Sequence, residues 1–236
     1  MSNITQTVTF TYKGRGIHLK FPEGLEISQT AVDLINSDFP GNNHSLENEG
    51  DEWINVGFGG KSYAHKTLHL QRASRTAFPF GIVKSTLSFI QYLRGEVKVE
   101  ACMINKTIPR ELYIRPKRTG VVNFNALLLS HILFDLHANP QKRNALMETN
   151  NLPIRYHGVR KKVDIWNHDV YTIAGFMDKE FSFYIVALII ARDLITQGKF
   201  NMENIKEIIK ANIVSGDLYD GVWDMPKLSD RKAVEK

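Results

Sequence analysis

Residues 181–190 read FSFYIVALII, the longest apolar run in the chain, and Arg192 and Asp193 end it. The flanking residues extend the pattern, which predicts one helix over Asp178–Gln197. Apolar side chains occupy every face of such a helix, and a helix of this kind lies in the core of a protein. The run is well short of the roughly 20 residues that a membrane span requires. It therefore predicts a central core helix and no membrane insertion.

Helical periodicity continues on both sides of this run. From Asn123 onward, apolar residues form one stripe that Asn139-Pro140 interrupts, and a short helix is expected over Gln141–Thr149. Downstream, Met202–Ile213 is amphipathic. Its inward side carries Ile205, Ile208 and Ile209.

The N-terminal half alternates apolar and polar residues more often, which is typical of strands. Thr7–Lys13 and Arg15–Phe21 predict a β-hairpin, and Leu25–Ile35 predicts a short helix. Further along, we expect strands over Glu52–Phe58, Ser62–Leu70 and Val97–Ile104, with a helix from Phe80 to Gly95 between the last two.

Strands early and helices late predict an α+β fold, mainly helical, with two lobes. We expect an N-terminal arm or hairpin over 1–20 and an N-terminal lobe with small β-hairpins over 21–120. A C-terminal helical lobe over 121–215 and an arm or tail over 216–236 complete this organisation.

Composition excludes several classes of protein. The chain has 236 residues, of which 43% are apolar and 23% charged, an ordinary globular composition. Its single cysteine, Cys102, allows neither an intramolecular disulfide nor a cysteine-based zinc site. The first residues, MSNITQTVTFTYKGRG, lack the features of a signal peptide. We therefore expect a protein of a reducing, intracellular compartment.

Charge is distributed unevenly along the chain. Residues 61–162 carry 18 basic and five acidic side chains, a net charge of +13, and both flanking regions are net acidic. Such a block favours binding to a polyanion, because each cation that reaches a phosphate releases a counterion. A merely solvated basic face is the alternative, and the acidic ends could pair with the block in the same chain or in a neighbouring copy.

Metal and nucleophilic chemistry find little support. Asn55–Ser62 (NVGFGGKS) ends like a phosphate-binding loop, but Asn55 replaces the first glycine, and the expected strand after Ser62 predicts a glycine-rich turn instead. On that strand, His65 and His69 would lie about 13 Å apart, too far to share a metal. His131 and His137 do not share a helix face, and Cys102 has no evident base. We therefore expect no metal and no cofactor.

An alternative function is a metal-dependent nuclease or another nucleic-acid-processing enzyme. Carboxylates would hold Mg²⁺ and a lysine would steady the attacked phosphate. The candidates are Asp51, Glu96 and Lys98, each at the expected start of a strand.

Aromatic residues accompany the cations in two places, near Pro109–Arg118 and near Arg155–Lys162. Single-stranded nucleic acid is bound by cations that contact phosphates and by flat side chains on which bases stack. Tyr113 and Tyr156 are the stacking candidates, although half-buried packing is an equal alternative for both.

Several segments resemble nucleoproteins of bunyaviruses. FMDKEFSFYIVAL from Phe176, FNMENIKEIIK from Phe200 and Trp223 resemble the C-terminal lobe of orthobunyavirus nucleoproteins. NALMETNNLPIRYHG from Asn144 and INSDFPGNN from Ile35 resemble other stretches of that family. VVNFN (121–125) and RNAL (143–146) also resemble short motifs of emaravirus nucleoproteins.

The resemblance implies a nucleoprotein, and not an enzyme, of a segmented negative-strand RNA virus. Two lobes would hold single-stranded RNA in a basic cleft, and terminal arms would link protomers. It implies location in the virion and the host cytoplasm, with the viral polymerase as a further partner. A monomeric interaction module that binds no RNA stays open as another class.

Together, the charge pattern and the resemblance give a set of expected site residues. Phosphate contacts are expected first from Arg110, Arg115, Lys117, Arg118, Arg155, Arg160, Lys161 and Lys162, and then from Lys61, Lys66, Arg72, Arg75 and Lys84. Contacts between protomers are expected from Trp223, Leu218, Phe10 and Tyr12.

Overall fold

The computed structural model of the chain describes residues 3–12, 15–37, 49–57, 62–70, 72–78, 81–94, 97–102, 104, 124–155, 159–163, 169–173 and 179–212. These residues form eight helices and four two-stranded sheets. The α+β class expected from the sequence is therefore confirmed. Within these ranges, no helix is both long enough and apolar enough to cross a membrane.

The N-terminal hairpin forms as the alternation predicts. Strands β1 (Ile4–Tyr12) and β2 (Arg15–Pro22) pair antiparallel, and their buried side carries Val8, Phe10, Leu19 and Phe21. Helix α1 (Gln29–Asn36) starts later than expected. Ser28 sets that start as N-cap, because its Oγ accepts a hydrogen bond from the Ala31 amide at 3.2 Å.

The prediction of two long strands after Glu52 is wrong. Strand β3 covers only Ile54–Asn55, and Tyr63–Leu68 forms a helix, α2. The Oγ of Ser62 accepts a hydrogen bond from the His65 amide at 3.0 Å and caps this helix. Ala64 and Leu68, both buried, lie four residues apart, a spacing that suits a helix as well as a strand.

The next segment also differs from the expectation. Strands β4 (Ala73–Phe78) and β5 (Gly81–Ser85) form an antiparallel hairpin, and helix α3 (Thr86–Arg94) begins only after it, not at Phe80. The strand expected over Val97–Ile104 is wrong, since Val99–Cys102 is a short helix, α4. Cys102 is fully buried in that helix, where desolvation raises its pKa to about 12.

Two predicted helices follow at the expected places. Helix α5 spans Phe124–Ala138 and α6 spans Pro140–Met147. Asn139 separates them and is the N-cap of α6, with Pro140 in the first turn, where a missing amide is tolerated.

Three short strands were not predicted. Strand β6 (Ile154–Arg155) pairs parallel with β3, so that Asn55 lies opposite Arg155. Strands β7 (Val159–Val163) and β8 (Asp169–Ile173) form a further antiparallel hairpin.

The apolar run forms helix α7 (Lys179–Thr196), and Met202–Asn212 forms α8, both as predicted. Helix α7 packs against α5 and α1, and α8 packs against α5 and β2. Buried apolar residues from Val8 to Ile209 form one connected core, in which every residue from Phe183 to Ala191 is buried. The two lobes, the basic cleft and the expected domain boundaries stay predictions.

Candidate nucleic-acid interface

Helix α2 and the turn after it bring four basic side chains together, His65, Lys66, His69 and Arg72, named here the α2 cluster. The rings of His65 and His69 lie 5.4 Å apart between centroids, with an angle of 70° between their planes. Backbone hydrogen bonds hold the turn, with the His69 amide donating to the His65 carbonyl at 3.0 Å and the Arg72 amide donating to the His69 carbonyl at 2.9 Å. Arg72 Nε also donates to the Lys66 carbonyl oxygen.

Exposure divides this cluster into two pairs. Lys66 and Arg72 are exposed, and the two histidines are half-buried. Desolvation, and to a smaller extent the charges of His65 and Arg72, lower the pKa of His69 to about 4. Desolvation also lowers the pKa of His65, against the opposing effects of the Asn55 carbonyl and the Glu49 carboxylate. At neutral pH the exposed pair therefore carries the positive charge.

Asn55 links the α2 cluster to Arg155. Its carbonyl accepts a hydrogen bond from His65 Nδ1 at 3.1 Å, and its backbone lies opposite Arg155 in the β3–β6 pair. The Arg155 guanidinium carbon lies 5.8 Å from the centroid of the buried Trp53 ring, within the range of a cation–π contact. Desolvation lowers the pKa of Arg155, but an arginine stays charged at any physiological pH.

The start of α2 does not suit a phosphate. A phosphate-binding loop needs a helix after it, and α2 provides that helix. The strand expected after Ser62, which argued against such a loop, is therefore wrong. However, Glu49 Oε1 accepts hydrogen bonds from Ser62 Oγ at 3.0 Å and from the backbone N–H of Asn55 at 3.3 Å. A carboxylate at the start of the helix repels a phosphate, so the motif is still not a phosphate-binding loop.

The expected 13 Å between His65 and His69 is also wrong, because these residues lie on a helix and its C-cap and not on a strand. Among the residues that the structure describes, no three His, Cys, Asp or Glu side chains are grouped to hold a metal ion.

Other cations of the basic block have structural contacts. The buried Lys142 pairs with Asp135, which is also buried. Arg143 Nη1 donates to the Leu136 carbonyl at 3.1 Å and to the His137 carbonyl, so it satisfies the C-terminal end of α5. These two side chains are therefore engaged within the fold.

The remaining expected residues fall into three groups. Lys84 is exposed on β5, and its charge acts on the Cys102 thiol. For the second group only the backbone is described, in β1, β4 and β7: Tyr12, Arg75, Arg160, Lys161 and Lys162. The third group lies outside the described residues: Lys61, Glu96, Arg110, Tyr113, Arg115, Lys117, Arg118, Tyr156, Leu218 and Trp223.

Phe10 lies inside the fold in this structure. Its side chain is 6% exposed, and its ring centroid lies 6.2 Å from that of Phe183 on α7. The ring therefore stabilises the hairpin against the central helix, which leaves little of it for a contact with another protomer.

Two residues considered for nuclease chemistry, Asp51 and Lys98, do not lie at the starts of strands where the sequence placed them. Asp51 lies exposed in a turn before β3, and Lys98 is exposed just before α4. Because Val99–Cys102 forms a helix and not part of a strand, Lys98 does not stand at the start of a strand as that interpretation required.

Sequence reasoning missed Tyr63 and the proximity of the two histidines. Tyr63 is 52% exposed on α2, three residues before Lys66, so the two side chains are neighbours on one helix face. Ser62, a preferred N-cap residue just before Tyr63, was the signal that could have revealed the helix.

Comparisons of this chain with protein-family models, with curated proteins and with solved structures found no match.

Proposed function

We propose that this chain is a nucleoprotein that coats single-stranded viral RNA without sequence preference and is not an enzyme. The observation that carries the proposal is the net charge of +13 over residues 61–162, between two acidic flanks. Within that block, Lys66 is exposed on α2 and Arg72 is exposed just after it, and Arg155 lies on the neighbouring strand pair. The bunyavirus-like segments support the same function.

Binding would be dominated by phosphate contacts. Lys66 and Arg72 would each neutralise a phosphate and release a counterion, which makes affinity depend steeply on salt. Tyr63, exposed beside Lys66, adds a flat surface on which any base can stack. Contacts of these kinds do not read base edges, so the same affinity is expected for RNAs of different sequence.

The wider proposal includes assembly and location. Further copies of the chain would join through the terminal arms, and the viral polymerase would be a second partner. The protein would act in the virion and in the host cytoplasm.

The experiment compares two double variants that lose the same charge. Lys66→Ala with Arg72→Ala removes two cations of the α2 cluster, and Lys20→Ala with Lys210→Ala removes two exposed cations outside the basic block. Binding of labelled single-stranded RNA is measured by fluorescence anisotropy across a salt series. We expect the first variant to bind more weakly and its log–log salt slope to be shallower by about 1.4, since each contact contributes about 0.7.

The control variant should retain the wild-type slope. If the Lys66→Ala, Arg72→Ala variant also has the wild-type slope, RNA does not contact the α2 cluster. A wild-type protein that does not bind RNA even at low salt would overturn the proposed function itself.

A further inference from the structure

We propose that His65 and His69 form a two-histidine binding site for Zn²⁺, with water in the remaining coordination positions. The proposal concerns the metal alone and does not depend on RNA binding. The sequence analysis expected no metal at these histidines because it placed them on a strand. The chain forms a helix there instead.

Ring spacing is the first argument. Two histidines at positions i and i+4 of a helix lie on one face, the spacing with which helical zinc motifs present their imidazoles. With a Zn–N distance of about 2.1 Å and tetrahedral angles, the centroids of two ligating imidazoles lie about 5.3 Å apart. The rings of His65 and His69 are 5.4 Å apart. The pair therefore already has the separation of a tetrahedral chelate.

The tautomer of His65 is the second argument. Its Nδ1 lies 3.1 Å from the Asn55 carbonyl oxygen, which can only accept a hydrogen bond. Nδ1 therefore carries the proton, and Nε2 carries the lone pair that binds a metal. A histidine ligand commonly donates its other ring N–H to a backbone carbonyl in this way, which fixes the orientation of the ring.

Local charge and the chemistry of the ligands set the affinity. The Glu49 carboxylate, whose charge acts on His65, favours a divalent cation, whereas Lys66 and Arg72 oppose it. Two imidazole ligands select Zn²⁺ and similar transition metals over Mg²⁺ or Ca²⁺, which prefer oxygen ligands. We therefore expect modest affinity for zinc, with clear selectivity over Mg²⁺ and Ca²⁺.

The test titrates the full chain with ZnCl₂, without RNA, by isothermal calorimetry at neutral pH. His65→Gln and His69→Gln each remove one ligand, and each should weaken binding by at least about tenfold. His18→Gln is the matched control, because His18 is an exposed histidine on β2 whose ring bonds Thr9 Oγ1. It should bind zinc like the wild-type protein, and MgCl₂ should give no heat of binding in any variant.

Two results would overturn the proposal. One is a wild-type chain that does not bind zinc, and the other is zinc binding that both glutamine variants retain at wild-type affinity. Circular dichroism of each variant checks folding, and His69→Gln carries the test if loss of the His65–Asn55 bond unfolds His65→Gln. The RNA experiment above is unaffected by either result, so the two proposals fail separately.

Discussion

Asn212 hydrogen-bonds both backbone groups of Lys20, although 192 residues separate them. The Lys20 amide donates to Asn212 Oδ1 at 2.9 Å, and Asn212 Nδ2 donates to the Lys20 carbonyl at 2.9 Å. The same Nδ2 also donates to the Ile208 carbonyl at 2.7 Å. The last residue of α8 therefore continues the hydrogen bonding of β2 and fixes the N-terminal hairpin to the C-terminal helices.

Replacement of this side chain should destabilise the whole fold. Asn212→Ala leaves the Lys20 amide and carbonyl without these partners, and we expect a loss of about 2 kcal/mol in the free energy of unfolding. Urea denaturation measures the loss. Asn36→Ala, at an exposed position at the end of α1, should change stability by less than about 0.5 kcal/mol. Equal effects of the two substitutions would contradict this account of Asn212.

The buried pair of Asp135 and Lys142 gives a second prediction. Lys142→Met leaves the Asp135 carboxylate buried without its cation, and we expect a loss of roughly 3 kcal/mol or more. A double variant, Asp135→Leu with Lys142→Met, should be more stable than Lys142→Met alone, because the stranded charge is gone. Thermal denaturation of the two variants compares their stabilities. A double variant no more stable than Lys142→Met would show that the pair is not coupled.

The buried His131 predicts a loss of stability in acid. Its Nε2 lies 3.1 Å from Thr86 Oγ1, and desolvation lowers its pKa to about 4. Below about pH 6.5 the unfolded chain takes up a proton at this residue that the folded chain does not, so stability falls as pH drops from 6.5 towards 4. Over this pH range, the free energy of unfolding should decrease by about 3 kcal/mol because of His131. The stability of His131→Gln, followed by urea denaturation across this range, should therefore fall less steeply than that of the wild-type protein. Parallel curves would be evidence against a neutral buried His131.

Long periodic segments could be predicted from the sequence, and short ones could not. Helices α5, α7 and α8 and the first hairpin have enough residues for their apolar period to be clear. Helix α2 has only six residues, and its buried Ala64 and Leu68 fit either period. Here the N-cap at Ser62 decides the structure, and the apolar pattern does not.

Pairing between distant segments also left no local signal. Strand β6 consists of Ile154 and Arg155 and forms because β3, about a hundred residues earlier, lies beside it. The basic character of the candidate interface could be predicted from charge counts alone. Those counts could not separate Lys66, which is exposed, from Lys142, which is buried against Asp135.

The basic segment with Arg115, Lys117 and Arg118 is expected to contribute strongly to RNA binding. Alanine at all three positions should weaken binding equally for RNAs of different sequence and reduce the salt slope by about 2. Anisotropy titrations with a homopolymer and a mixed-sequence RNA provide the measurement. An unchanged affinity in the triple variant would exclude this segment from the RNA-binding surface.

The proposed RNA-coating function is tested most directly by the state of the protein after expression in a heterologous host without added RNA. Size-exclusion chromatography with light scattering gives the mass, and the ratio of absorbance at 260 and 280 nm reports bound nucleic acid. We predict a multi-subunit peak with a high ratio. After treatment with RNase and strong salt, the ratio should fall to that of protein alone and the mass should decrease. A nucleic-acid-free monomer that also ignores single-stranded RNA at low salt would contradict the account.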